Sequence, residues 1–186
     1  MTAHEDSLPA TWIFGYGSLI WRPDFDYAER RTGFVRDWAR RFWQASTDHR
    51  GLPSRPGRVV TLVQEPGARC FGTAYRLREE DRNAVLKGLD HRERGGFIRE
   101  LLPVHFGEDS PEAGASISAL VYVATERNPN YLGPAPLAAI ASQVRESHGP
   151  SGPNLEYVLR LADALRGMGA EDEHVFALEA LLSADE

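Results

Sequence analysis

Two short stretches carry residue types that can do chemistry. The first is "GYGSL", Gly15 to Leu19, set inside an otherwise apolar run. Consecutive backbone N–H groups in a glycine turn can cradle an anion as a nest. Glycine inside a strand also marks a plain β-bulge, and the pattern alone favours that plainer reading. The second is "LDHRERGGF", residues 89–97, where Glu93 falls in the last turn of a predicted helix that ends on two glycines. A carboxylate there opposes the helix dipole, so Glu93 stands against its local electrostatics unless something uses it. On local grounds a solvated glutamate paired with Arg92 or Arg94 is the better reading.

Other chemistries lack their motifs. A dinucleotide fingerprint needs a third glycine where Ile20 stands, and no G-x-x-x-x-G-K-[ST] occurs. The six histidines, at 4, 49, 91, 105, 148 and 174, show no metal-ligand spacing. Cys70 lies in a predicted strand, where a small buried hydrophobe is the default. Ser18 lacks the G-x-S-x-G frame of a nucleophile elbow. Metal, covalent-cysteine and serine-hydrolase readings are all weak, and no metal site or cofactor is expected.

Charge narrows the partners. The 186-residue chain carries a net charge of −6, yet Arg30 to Arg58 holds eight arginines against Asp37 and Asp48. Arginine suits bidentate pairing with carboxylates or phosphates, although several of these can simply pair with the surplus acids elsewhere. The acidic balance argues against nucleic acid. No apolar run approaches the roughly 20 residues that span a bilayer, so no membrane partner is expected. The start, "MTAHEDSLPA", reads as a flexible leader over residues 1–10 rather than a targeting signal, with one domain over 11–186. A single cysteine suits a reducing, cytoplasmic compartment. Nothing in the pattern reports oligomeric state, for which a monomer is the simpler reading.

The elements that must position these residues follow from pattern. "TWIFGYGSLIW" reads as a strand running into a glycine turn. "RTGFVRDWARRFWQASTDHRG" mixes aromatics with arginines and is open between strand and helix. "RVVTLVQ" (58–64) and "ARCFGTAYRL" (68–77) read as two strands joined by an "EPG" hairpin. "REEDRNAVLKGLDHRE" is helical, with acids in its first turn and Val85, Leu86 and Leu89 on one side. "FIRELLPVHF" and "ASISALVYVAT" return to strand across a turn holding Pro111 and Gly114. A helix opens near Pro136 and closes at Gly149. Leu155, Val158, Leu159, Ala162 and Leu165 mark another, and Val175, Phe176, Leu178 and Leu182 a last one. Strands first and helices last predict an α+β domain with a largely antiparallel sheet.

Taken in order, "FGYGSLIW", "RRFWQASTDHRG", "PGRVVTLV", "LDHRERGGF", "NPNYLGPAP" and "GPSGPNLEYVL" resemble the motifs of the ChaC family, the glutathione-specific γ-glutamylcyclotransferases. The match runs from about Trp12 to the final helix. The resemblance implies a small mixed β-barrel flanked by helices and conversion of glutathione to 5-oxoproline and cysteinylglycine. In that reaction the substrate's own α-amine attacks its γ-amide carbonyl, so no protein nucleophile, metal or redox cofactor is implied. The family's general acid/base glutamate corresponds to Glu93. Its substrate turn corresponds to Phe14, Gly15, Tyr16, Gly17, Ser18 and Leu19. Tyr131 and the arginine-bearing block, with Arg50 and Arg58 as candidates, are expected at the cysteinylglycine end. Phe97 stands where relatives commonly carry tyrosine, and Arg94 where lysine is usual. Because the turn recognises only the glutamyl half, other γ-glutamyl peptides or γ-glutamylamines are an alternative, as is a non-catalytic anion-binding relative.

Overall fold

β-Branched and aromatic residues are concentrated in the first two thirds of the chain, and the strands form there. The computed structural model describes residues 10–93, 95–107 and 114–184. The expected leader before Ala10, together with Arg94 and Pro111, lies outside the described residues. Strands β1 (Trp12–Gly15), β2 (Glu29–Ser46), β3 (Gly57–Arg76), β4 (Ile98–His105) and β5 (Ser116–Val123) close into a barrel in the order β1-β3-β2-β4-β5. Every pairing is antiparallel except the closing one, where β1 runs parallel to β5 at Trp12↔Ala119 and Ile13↔Leu120. The expected mixed, largely antiparallel barrel is therefore present.

The open segment 31–51 resolves as strand through Ser46, within β2. The expected hairpin at Glu65–Gly67 is a correction, since β3 continues through it as one strand of 20 residues. Turn-forming residues serve here as a bulge. Asp37 at φ 63° and Gly67 at φ 83° face each other, and the Gly67 N–H donates to Asp37 Oδ1 at 2.7 Å. This and a second register shift between Arg41 and Gln44 bend the two long strands around the barrel.

Four helices follow the pattern with shifted ends. Helix α1 (Arg82–Arg92) starts after Glu79 and Glu80, so the expected first-turn acids precede it. Helix α2 (Leu137–Glu146) stops before Ser147, whose extended backbone leads into a two-stranded ribbon, β6 (His148–Gly149) with β7 (Gly152–Pro153). Helices α3 (Asn154–Gly167) and α4 (Glu173–Ser183) complete the C-terminal third. Val158, Ala162 and Leu165 are buried as expected, joined by Tyr157 and Leu161, while Leu159 is only half-buried.

Two cores hold the site in place. The main one joins the barrel interior (Phe14, Val35, Phe42, Leu62, Val104, Val121) to α2, α3 and α4. Removing such side chains from water contributes roughly 1.5–3 kcal/mol each. A smaller cluster of Ile13, Leu19, Leu77, Leu89 and Tyr122 fastens α1 to β1 and its turn. Leu19 and Leu89 thus bring the two stretches singled out in the sequence into one packing unit. No described helix is long and apolar enough to cross a membrane.

Candidate active site

Where β1 ends, the chain turns sharply and the barrel opens into a cleft. The run Phe14–Leu19 forms one wall, the ends of β2 and β3 with Ser46–Arg50 another, and the C-terminal end of α1 with Glu93 a third. Tyr157 of α3 also lines the cleft.

The turn depends on its glycines because neighbours approach too closely for a side chain. A Cβ on Gly15 would sit 2.6 Å from Leu19 Cβ, and one on Gly17 would sit 2.9 Å from Tyr157 Oη. A single 3₁₀ turn, Ser18–Ile20, follows, with the Ile20 N–H bonded to Gly17 O at 3.0 Å. Among the described residues, the N–H groups of Gly17, Ser18 and Leu19 donate to no protein acceptor. Three successive backbone N–H groups without a protein acceptor, on residues that line a cleft, are the kind of donor set that can cradle an anion.

The side chains of the turn are committed elsewhere. Tyr16 donates its hydroxyl to Tyr122 O at 2.6 Å, and burial raises its pKa well above the usual phenol value. Ser18 Oγ accepts from Arg92 Nη2 at 2.7 Å. The side chain of Leu19 packs in the smaller core. What the turn presents to the cleft is chiefly its backbone.

Glu93 is the residue immediately after α1, and its N–H still bonds to Leu89 O at 2.8 Å. The chain then leaves through Gly95 and Gly96. Gly96 has φ 91°, and a Cβ on it would lie 2.7 Å from Asn128 Nδ2. Asn128 Nδ2 donates to Gly95 O at 2.9 Å, while Asn128 Oδ1 accepts from Gln44 Nε2 at 3.1 Å. This relay pins the loop after Glu93 to β2. It leaves the buried Gln44 Oε1 without a protein partner at the cleft wall.

Burial pushes the Glu93 carboxyl pKa up; Arg92, 3.8 Å away, opposes the rise and Asp48 adds to it. Its side chain is 20% exposed, so protons can exchange. A carboxyl of raised pKa in a cleft is suited to general acid/base work near neutral pH. Tyr157 is held up to about 12, mainly by burial and further by Glu93, and so remains a neutral hydroxyl.

Of the expected site residues, the cleft gathers Phe14, Gly15, Tyr16, Gly17, Ser18, Leu19, Arg50 and Glu93. Arg50 reaches it from the loop after β2, donating to Pro153 O at 3.1 Å and lying 5.7 Å from the Tyr157 ring. Arg58 does not line the cleft. Its guanidinium is buried, donating to Gln143 Oε1 at 2.7 Å and Phe42 O at 2.9 Å, and so holds the barrel to α2. Tyr131 is also outside, bridging Gln44 through its backbone only, although its neighbour Asn130 lines the cleft. Sequence reasoning missed Tyr157, Gln44 and Asp48 as cleft residues and gave Arg92 only as an ion-pair partner of a solvated Glu93. Among the described residues, no group of three or more His, Cys, Asp or Glu side chains is placed to hold a metal ion.

A closed five-stranded barrel thus opens into one cleft that brings the backbone N–H groups of Gly17–Leu19 together with a carboxyl of raised pKa, the architecture of a cyclotransferase-like barrel. The chain belongs to the ChaC-like protein family, whose model matches residues 11–185. It is 49% identical over 179 residues to the mouse glutathione-specific γ-glutamylcyclotransferase 1, covering 94% of this chain and 78% of the relative. It is 44% identical to γ-glutamylcyclotransferase 2-3 of Arabidopsis thaliana, covering 89% and 85%. The fold superposes on the crystal structure of the yeast γ-glutamyl cyclotransferase specific to glutathione with a TM-score of 0.86. That pair is 29% identical, covering 93% of this chain and 95% of the yeast protein.

Proposed function

We propose that this protein is a glutathione-specific γ-glutamylcyclotransferase that converts glutathione to 5-oxoproline and cysteinylglycine. The observation that carries the reading is one cleft in which Glu93, with its raised pKa, faces the unspent N–H groups of Gly17, Ser18 and Leu19. The similarity to relatives bearing that activity supports the substrate.

The geometry supports the following chemistry. The turn's N–H groups hold the γ-glutamyl end, with a donor left for the carbonyl oxygen as it becomes an oxyanion. Glu93 takes a proton from the α-ammonium, and the freed amine attacks the γ-amide carbonyl carbon to close a five-membered ring. The tetrahedral carbon then expels the cysteinyl nitrogen, which receives the proton from Glu93. The ring nitrogen, left cationic by its attack, gives up its second proton to the same carboxylate, which passes it to the departing amine or to water and so leaves the neutral lactam. A preorganised donor at the oxyanion contributes on the order of 3 kcal/mol to lowering the barrel site's activation free energy. Folding the chain so that amine and carbonyl meet supplies the other large share, because the attack is intramolecular. Arg50 is one cation of the cleft wall, with Arg22 and Arg92, that can pair with a cysteinylglycine carboxylate.

The reading needs no partner chain beyond this small-molecule substrate. It places the protein in the cytoplasm, a reducing compartment in which the buried free thiol of Cys70 persists. Incubation of the purified protein with glutathione yields equimolar 5-oxoproline and cysteinylglycine by mass spectrometry. Absence of 5-oxoproline overturns the activity. Equal or faster turnover of γ-glutamylalanine or a γ-glutamylamine overturns the specificity for glutathione.

A further inference from the structure

Arg40 lies outside the cleft lining, on the far side of the glycine turn, and is 99% buried. Three groups share its guanidinium. Nε donates to Tyr16 O at 2.7 Å, Nη1 to Asp172 Oδ2 at 2.6 Å, and Nη2 to Phe71 O. Asp172 is fixed in turn, because its other oxygen caps α4 by accepting the Val175 N–H at 3.0 Å. The turn's backbone is thus anchored, through one buried cation, to a helix more than 130 residues further along the chain.

The bond to Tyr16 O matters because of what shares its peptide plane. In a trans peptide the carbonyl and the following N–H lie in one plane and point in opposite directions. Holding the Tyr16 carbonyl toward Arg40 therefore fixes the Gly17 N–H away from Arg40. That N–H is one of the three unspent donors of the turn. A charged donor on a carbonyl in a low-dielectric interior also polarises the peptide, which strengthens its N–H as a donor.

We propose that Arg40 is a positioning residue for the reaction: it aims and polarises the Gly17 N–H, with Asp172 holding the guanidinium in place. The proposal rests on the turn being the oxyanion and carboxylate site described under Proposed function. Lysine at position 40 keeps a cation for Asp172 but has no donor at the Nε position, so it removes the bond to Tyr16 while retaining charge.

Arg40→Lys and Asp172→Ser test this, the serine retaining a helix cap while removing the ion partner. Arg40→Lys lowers kcat for glutathione about tenfold or more, less than deleting an oxyanion donor outright, and leaves KM within about threefold. Asp172→Ser gives a smaller fall in kcat of the same kind, and decides the matter alone if Arg40→Lys does not fold. A second readout needs no substrate: the assigned Gly17 amide resonance moves in a ¹H–¹⁵N spectrum of either folded variant. If the variants unfold more easily but keep wild-type kcat and an unmoved Gly17 resonance, Arg40 is only a structural brace and the proposal is overturned. If wild-type protein fails to turn over glutathione while the Gly17 resonance still moves, the substrate assignment fails and the coupling stands.

Discussion

Arg92 donates from Nη2 to the Ser18 hydroxyl at 2.7 Å, while its Nε lies 3.8 Å from the Glu93 carboxylate. One guanidinium therefore serves both the turn and the Glu93 carboxylate. It ties the end of α1 to the wall that faces it and offsets part of the burial that raises the Glu93 pKa. Asp48, across the cleft, acts in the opposite direction.

These two neighbours predict opposite shifts of the pH–rate profile. In its proposed role as base Glu93 must be ionised, so its pKa sets the acidic limb of kcat/KM. Arg92→Gln removes a stabilising cation and moves that limb to higher pH, while Asp48→Asn moves it to lower pH, each by about half a unit to one unit. Initial rates of 5-oxoproline formation across pH read both shifts. Movement in the same direction contradicts the electrostatic account.

The glycine turn predicts a steric coupling. Gly17→Ala places a methyl against Tyr157 Oη and Val60 Cγ2 and costs about 1–3 kcal/mol in urea unfolding. Adding Tyr157→Phe removes the hydroxyl and recovers part of that loss, although Val60 at 3.0 Å remains. Strict additivity of the two substitutions excludes the contact as the reason for glycine.

His174 predicts a pH-dependent loss of stability. Its Nε2 accepts the Phe42 N–H at 3.1 Å, which requires the neutral ring, and burial beside Arg41 and Arg40 lowers its pKa to about 4. The unfolded chain binds a proton at this histidine with its ordinary pKa near 6.5, while the folded chain binds one only near 4. Its contribution is therefore present above about pH 6.5 and is lost as pH falls toward about 4, with a slope of up to about 1.4 kcal/mol per pH unit. Urea midpoints of wild type and His174→Gln at pH 7 and pH 5 measure this. A gap between them that does not shrink at pH 5 contradicts it.

Much of the fold is legible where the signal is local. The helices show because Val158, Ala162 and Leu165 recur at helical spacing. The "EPG" stretch misleads because Pro66 and Gly67 suit a bulge as well as a hairpin turn, and only pairing with Asp37 decides between them. Barrel closure through parallel β1 and β5 joins residues over a hundred positions apart, which no local pattern reports. Within the site, the glycines and Glu93 stand out because each is costly where it lies. Tyr157 does not, since a tyrosine in a periodic apolar helix reads as core. Arg50 and Arg58 are indistinguishable by composition, and the register shift between Arg41 and Gln44 hides which side of the sheet each arginine near it faces.

The central claim is that Glu93 moves the protons while the turn holds the γ-glutamyl group. The most direct test is the rate of 5-oxoproline formation from saturating glutathione by Glu93→Gln, with folding confirmed by its unfolding curve. The account predicts a fall in kcat of at least about 10²-fold. It also predicts a folded variant no less stable than wild type at pH 7, because the raised pKa makes the ionised carboxylate a cost above the ordinary glutamate range. A folded Glu93→Gln protein that forms 5-oxoproline at the wild-type rate would contradict it.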